Sequence, residues 1–294
     1  MGRGAGRPRR PVAKKRAPAR GAAPSRAAAP AVEPPRKQSG PKGLGGDQVE
    51  GRQAVRELLL VGRRKVREVW LSPGEGGQLD GPLADLAELA ADVRVVTKVV
   101  SRAKLDGAAR TEAPQGVVAF AAPLPEADLD DLVLPVKGVN PFLVAVDGVT
   151  DPGNLGALLR SAECAGVTGV VLPRHRSVHV TATAAKAAAG AIEHLPITLV
   201  GGLPAALERM KAAGVWAVGL DGTGDTPLHA IPFAADPVVL VLGAEGTGLS
   251  RLVRQRCDAV AAIPLRGRLE SLNVAAAAAI ATYEVARLRS GSAS

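Results

Sequence analysis

An α/β fold built on a parallel sheet covered on both faces is predicted for the larger part of this 294-residue chain, and two observations predict it. From Pro141 onward, short continuous apolar runs rich in Val alternate with helix-like stretches, the pattern of strands buried between crossover helices. Ahead of them, residues 48–122 alternate the same kinds of segment on a smaller scale, and residues 1–45 hold almost no large apolar side chains. The organisation expected is a disordered basic tail over 1–45, a small α/β domain over 48–122, a linker over 123–140 and the main α/β domain over 141–290.

The tail of Arg, Ala, Pro, Lys and Gly cannot bury enough surface to offset the entropy of ordering. Residues 1–42 carry twelve Lys or Arg against one acid, Glu33, which exceeds the whole chain's net charge of +9 and leaves the rest nearly balanced. Such a tail either attracts phosphate backbone without reading sequence or serves to solubilise the chain. In the small domain, Ala54, Leu58, Leu59 and Val61 mark a helix. Val66–Leu71 reads as a strand, Leu83–Ala91 as a helix, and Val93–Val96 and Gly116–Phe120 as strands. Pro123, Pro125 and Pro135 among acids and apolars suit a linker. In the main domain the strands fall at Phe142–Val146, Thr168–Leu172, Val215–Gly219, Val238–Leu242 and Ala259–Ile263. The helices between them fall at Leu155–Ala165, Ala182–Ala189, Pro204–Ala213 and Leu249–Arg256, with a long last one at Val274–Arg289. Ligands of such sheets bind beyond the carboxyl ends of the strands.

Composition narrows the function. No apolar run reaches the roughly 18 residues of a membrane span, and no apolar stretch follows the basic N-terminus as in a secretory signal. Cys164 and Cys257 form no CxxC pair, which fits a reducing cytosol, and both read as small buried hydrophobes. His175, His179, His194 and His229 are scattered and read as structural, so no metal is expected. Six aromatics are too few and dispersed for a stacking RNA platform. The GxGxxG of a dinucleotide-binding fold is absent after the first main strand.

Three loops carry chemistry. The first, DGVTDPGNLGALLR over 147–160, places Asn154 to cap the helix that follows, whose buried stripe is Leu155, Leu158, Leu159 and Ala162; Arg160 lies off that stripe. The second, LGAEGTGL over 242–249, is glycine-rich, so backbone approaches a ligand closely and leaves N–H groups free. Its Glu245 would repel phosphate, and no Lys-Ser/Thr follows as in a Walker A loop. The third, IPLRGRLESLN over 263–273, ends at Ser271 and Asn273, either of which suits the N-cap of the last helix. Taken singly, each loop is also an ordinary turn, cap or solvated surface. All three follow predicted strands, so all converge on one edge of the sheet.

In order and spacing these loops resemble the three signature motifs of the SpoU (TrmH-like) RNA ribose 2′-O-methyltransferases. DGVTDPGNLGALLRSAECAGV is similar to the first, VVLVLGAEGTGLS to the second and IPLRGRLESLNVAAAAAIATYE to the third. Residues 48–122, with EGRQAVRELL near their start, more loosely resemble the substrate-binding domain of the branch that methylates a guanosine of 23S rRNA. The resemblance implies a trefoil-knotted methyltransferase domain, a cytoplasmic homodimer with a site drawn from both subunits, S-adenosylmethionine as cofactor and RNA as partner. It implies that backbone at Leu220, Asp221, Gly222, Gly243, Ile263 and Leu272 holds the cofactor, and that Asn154, Arg160, Glu245, Ser271 and Asn273 are catalytic. The alternatives within reach of the same motifs are a tRNA 2′-O-methyltransferase and a non-catalytic RNA-binding assembly protein. Leu269 departs from the family pattern, where a β-branched residue is common, as does the Ala-rich final helix.

Overall fold

In the computed structural model the described residues are 1–2, 43–74, 76–174, 180–231 and 234–291. Most of the stretch expected as a tail, with His175, His179 and Phe233, lies outside them. The described body begins within that stretch: Leu44 is fully buried, and Gly45 pairs with Val180.

The small domain runs β1 (Gln48–Glu50), α1 (Arg52–Val61), β2 (Val66–Leu71), α2 (Gly81–Asp92), β3 (Val96–Val99), α3 (Arg102–Ala108) and β4 (Val117–Ala121). Its sheet has the order β1-β4-β2-β3, with β2 and β3 parallel and the other pairs antiparallel. Ala54, Val55, Leu58 and Leu59 form the apolar stripe of α1 and bury it with α2 against Val49, Val69, Leu71, Val117 and Ala119. The opposite face is covered by α3, whose Leu105 packs with Val100 and Val118 beside an edge-to-face pair of Trp70 and Phe120. The strand expected at Val93–Val96 lies three residues later. Val93 instead caps α2, and Arg94 takes a left-handed turn at φ 58°, so the apolar run straddles a turn. β1 and α3 are further elements that periodicity did not mark.

Residues 123–140 are not structureless. They contain α4 (Leu129–Leu132), capped by Asp128, whose Leu129 and Leu132 are buried against the main sheet. The main domain continues with β5 (Phe142–Val146), α5 (Pro152–Cys164), β6 (Gly169–Pro173), α6 (Ala182–Ala187), β7 (Ile197–Val200), α7 (Leu203–Ala212), β8 (Trp216–Leu220), β9 (Thr226–Pro227), β10 (Val238–Leu242), α8 (Arg251–Arg256), β11 (Ala259–Ala262) and α9 (Val274–Gly291). Its seven strands are all parallel in the order β7-β6-β5-β10-β8-β11-β9. β7 and the short β9 extend the sheet at its two edges beyond the five expected strands.

Alternation along the central strands explains the two layers. Phe142, Val144 and Val146 of β5 and Val238, Leu240 and Leu242 of β10 face a core shared with α5, α6 and α9. Leu143, Ala145, Val239 and Val241 face the opposite core, shared with α4, α7 and α8. Such double burial is why these strands read as unbroken apolar runs. Small domain and main domain belong to one compact unit, joined by a buried ion pair between Arg64 and Glu193.

Candidate active site

Because β5, β10, β8 and β11 are adjacent and parallel, the loops after them emerge at one edge of the sheet. The first loop enters α5 through Asp151, whose side chain accepts from the Asn154 N–H at 2.6 Å. Asn154 is therefore not the cap expected of it. It sits inside the first turn, and its Oδ1 accepts from Asn273 Nδ2 at 2.9 Å. Asn273 caps α9, its own Oδ1 accepting from the N–H groups of Ala275 and Ala276. One amide pair thus ties the first loop to the third.

The second loop closes on itself. Ala244 and Gly248 exchange both backbone hydrogen bonds, at 3.1 and 2.9 Å, which leaves Glu245 exposed at the tip. The closure needs glycine at both ends. A Cβ on Gly243 would come within 2.3 Å of the Gly248 carbonyl carbon; Gly248 has φ +64°, and its Cβ would meet Asp221 Oδ2 at 2.6 Å.

Between these loops lies a cavity of about 640 Å3, lined by residues 220–223, 242–248 and 270–272 together with Arg254, Ile263, Leu265, Val274 and Ala277. That volume falls within the roughly 300–1,000 Å3 of small-molecule sites. Leu220, Asp221, Gly222, Gly243, Ile263 and Leu272, the positions expected to hold cofactor, all line it, and so do Glu245 and Ser271. Asn154 and Asn273 stand beside it without forming its wall. Arg160 is exposed on α5 and is not among the lining residues of this single chain.

Charge narrows what the cavity takes. Asp221 forms an ion pair with Arg254 at 3.2 Å and accepts from the Thr223 N–H and hydroxyl and, at 3.4 Å, from the Leu249 N–H. Burial alone would raise the Asp221 carboxyl, but these hydrogen bonds and Arg254 outweigh it and hold the group below the usual carboxylate range. With Asp221 matched by Arg254, Glu245 and Glu270 leave the wall acidic. An acidic wall rich in backbone groups suits a cationic ligand and disfavours a phosphate. Thr223, Arg254 and Glu270 were not singled out in the sequence, where Arg254 looks no different from Arg251 and Arg256 beside it.

Two further expectations meet the structure here. Cys164 is exposed rather than buried, because it ends α5 on the side away from the Leu stripe. Cys257 is half-buried, and desolvation, with Asp258 beside it, pushes its thiol up to about 11. Among the described residues no group of three or more His, Cys, Asp or Glu is placed to hold a metal, and no helix is long and apolar enough to cross a membrane.

With this geometry in place, comparison with known proteins defines the class: the chain belongs to the SpoU rRNA methylase family, whose model matches residues 141–283. A second family model, RNA 2′-O ribose methyltransferase substrate binding, matches residues 48–127. The chain is 40% identical over 246 residues to the 23S rRNA (guanosine-2′-O-)-methyltransferase RlmB of Pseudomonas aeruginosa, covering 83% of this chain and 97% of that one. Among solved structures it resembles the SpoU methyltransferase AviRb of Streptomyces viridochromogenes in complex with AdoMet, with TM-score 0.69, 29% identity, and 82% and 89% of the two chains covered. It also resembles an AdoMet-bound rRNA methyltransferase of Sinorhizobium meliloti, with TM-score 0.66, 27% identity and coverage of 82% and 87%.

Proposed function

We propose that this chain methylates the 2′-hydroxyl of a ribose in RNA, a guanosine of 23S rRNA, with S-adenosylmethionine as methyl donor. The observation that carries the reading is the acidic cavity walled by the loops after β8, β10 and β11, with the Asn154–Asn273 pair at its rim. The cavity fits the cofactor: its volume is adequate, glycine backbone forms its cradle, and its net negative wall complements a sulfonium cation. The relative bound to AdoMet and the relative named for guanosine 2′-O-methylation of 23S rRNA support cofactor and target.

When bound, S-adenosylmethionine supplies an electrophilic methyl on a positively charged sulfur. The chain's own residues then have to bring a ribose hydroxyl into line with it, and positioning of that kind contributes much of the rate. Asn154 is held by Asn273, which leaves its amide NH2 to donate toward the substrate ribose. The Ser271 hydroxyl on the wall both donates and accepts. Glu245 supplies negative charge at the loop tip. Arg160 presents a planar guanidinium fork, so its role is a bidentate clamp on the phosphate beside the target ribose.

The position of Arg160 outside the cavity of its own chain supports a homodimer in which each protomer completes the other's site. Exposed Ile280 and Tyr283 on α9 and Leu269 in the loop before it give such a partner apolar surface to cover. The path of residues 263–273 supports a trefoil knot. It leaves β11 beyond β8, passes beside Gly222 and returns so that α9 packs on α5. The small domain serves as the RNA-binding module, and the activity is placed in the cytoplasm, where its substrate is made. Asn154→Ala and Arg160→Ala should each abolish methyl transfer while leaving the protein folded; near-normal turnover in both would sink the site.

A further inference from the structure

The loop that carries Glu245 returns to the sheet between two carboxylates, Asp147 at the start of the first loop and Asp221 on the cavity wall, whose side chains have so far been given no part in shaping it. β10 lies between β5 and β8 in the sheet, and each flanking strand ends immediately before an aspartate: Asp147 after Val146, and Asp221 after Leu220. The N–H of Ser250 donates to Asp147 Oδ2 at 2.7 Å, and the N–H of Leu249, the residue before it, donates to Asp221 Oδ2 at 3.4 Å. Successive amides are thus held by carboxylates from opposite sides.

Each aspartate is itself fixed. The Asp147 N–H donates to the Leu242 carbonyl at 2.8 Å, so the residue is tied to the start of the same loop whose end it holds. Asp221 uses its other oxygen for Thr223 and Arg254, and Arg254 also donates to the Thr223 carbonyl at 3.2 Å. Leu249 between the two amides is buried with Val253 in the core shared with α4, α7 and α8. Ser250 is the N-cap residue of α8, and Asp147 satisfies its N–H at the helix end.

We propose that Asp147 and Asp221 are positioning residues that clamp the 243–250 loop into its ligand-ready shape before the cofactor arrives. The proposal rests on the reading of the cavity as a cofactor site, but the clamp itself is a property of the free chain. Hydrogen bonds to a charged acceptor are strong enough that losing one leaves the loop in its competent shape a minor fraction of the time, which weakens binding in proportion.

Hydrogen exchange on the free protein, resolved at Leu249 and Ser250, tests the clamp directly. Asp147→Ala should speed exchange at the Ser250 amide, and Asp221→Ala at Leu249, each about tenfold or more. Calorimetry with S-adenosylmethionine on the same variants should show affinity reduced about tenfold, with the RNA KM unchanged. Asp147→Asn keeps the one acceptor oxygen in use and should restore most of the loss. Asp221→Asn, where both oxygens are engaged, should restore only part. Ser250→Pro removes the Asp147 bond from the donor side, and the Ser250 φ of −61° suits proline; combined with Asp147→Ala it should add little. Unchanged exchange at both amides in the alanine variants overturns the clamp even if a variant is less stable overall. Accelerated exchange with unchanged cofactor affinity overturns its role in binding. A wild-type chain with slow exchange that binds no S-adenosylmethionine would instead overturn the functional reading.

Discussion

The junction between small and main domains contains a buried arginine, and its removal has a calculable cost. Arg64 has side-chain exposure of 2% and Glu193 of 1%. The guanidinium meets the carboxylate through two bonds, Nε to Oε2 at 3.0 Å and Nη2 to Oε1 at 2.6 Å. Its Nη1 donates to the carbonyls of Gly46 and, at 2.7 Å, Ala122. Arg64→Ala therefore strands one buried carboxylate and two carbonyls. Breaking a buried pair in this way costs about 3–5 kcal/mol, a large share of the roughly 5–15 kcal/mol that stabilises a native protein. Glu193→Ala should cost less, about 2–3 kcal/mol, because Arg64 retains its two carbonyl acceptors. In the double variant the charges vanish together, so the two costs should fall short of additivity by at least about 1 kcal/mol. Urea unfolding followed by circular dichroism, extrapolated linearly to water, gives all three values. An Arg64→Ala variant within about 1 kcal/mol of wild type, or strict additivity, would refute the reasoning that this pair is buried and coupled.

Other expectations follow from single residues. Gly248→Ala should cost about 1–2 kcal/mol for its left-handed φ and lower S-adenosylmethionine affinity at least about tenfold by calorimetry, since its Cβ would also press on Asp221; unchanged affinity would contradict the loop geometry. Arg289 donates to the carbonyls of Ala234, Asn140, Pro141 and Asp236 and lies over the Phe142 ring at 4.9 Å, tying the end of α9 to the start of β5. Arg289→Lys cannot reproduce that fork and should lower stability by about 2–3 kcal/mol in thermal or urea unfolding. A disulfide reagent at pH 8 should titrate one thiol in the native chain, the exposed Cys164, and two after denaturation, because Cys257 is held neutral up to about 11. For the same reason folding stability should fall as pH rises from the ordinary thiol range toward about 11, where the unfolded chain gives up a proton that the folded one keeps.

Much of the fold was legible because double burial writes itself as unbroken apolar runs: β5 and β10, at the centre of the main sheet, fall at the expected residues. Edge elements carry weaker signals. β3 exposes Val96 and Val99, so its apolar residues did not mark where a buried strand starts, and the turn at Arg94 was invisible in a run of Val. Pro123, Pro125 and Pro135 suggested a linker, yet Leu129 and Leu132 at helical spacing were enough to seat α4. The positions expected to hold cofactor line one cavity because the motifs end at strand ends and the sheet is parallel. Asn154 was placed in the right loop with the wrong partner, since Asp151 precedes it and has the better reach for the first-turn N–H. Asp147 and Arg254 were not legible, because the Ser250 amide and the Asp221 carboxylate they meet are brought to them only by the strand order.

The central claim is tested most directly by incubating the purified chain with methyl-labelled S-adenosylmethionine and unmodified large-subunit rRNA, then mapping label by resistance to alkaline cleavage, which a blocked 2′-hydroxyl confers. A single guanosine in 23S rRNA should be protected, and the protection should be lost in Arg160→Ala and Asn154→Ala. Label on a base, or none in the rRNA although the cofactor binds, would contradict it.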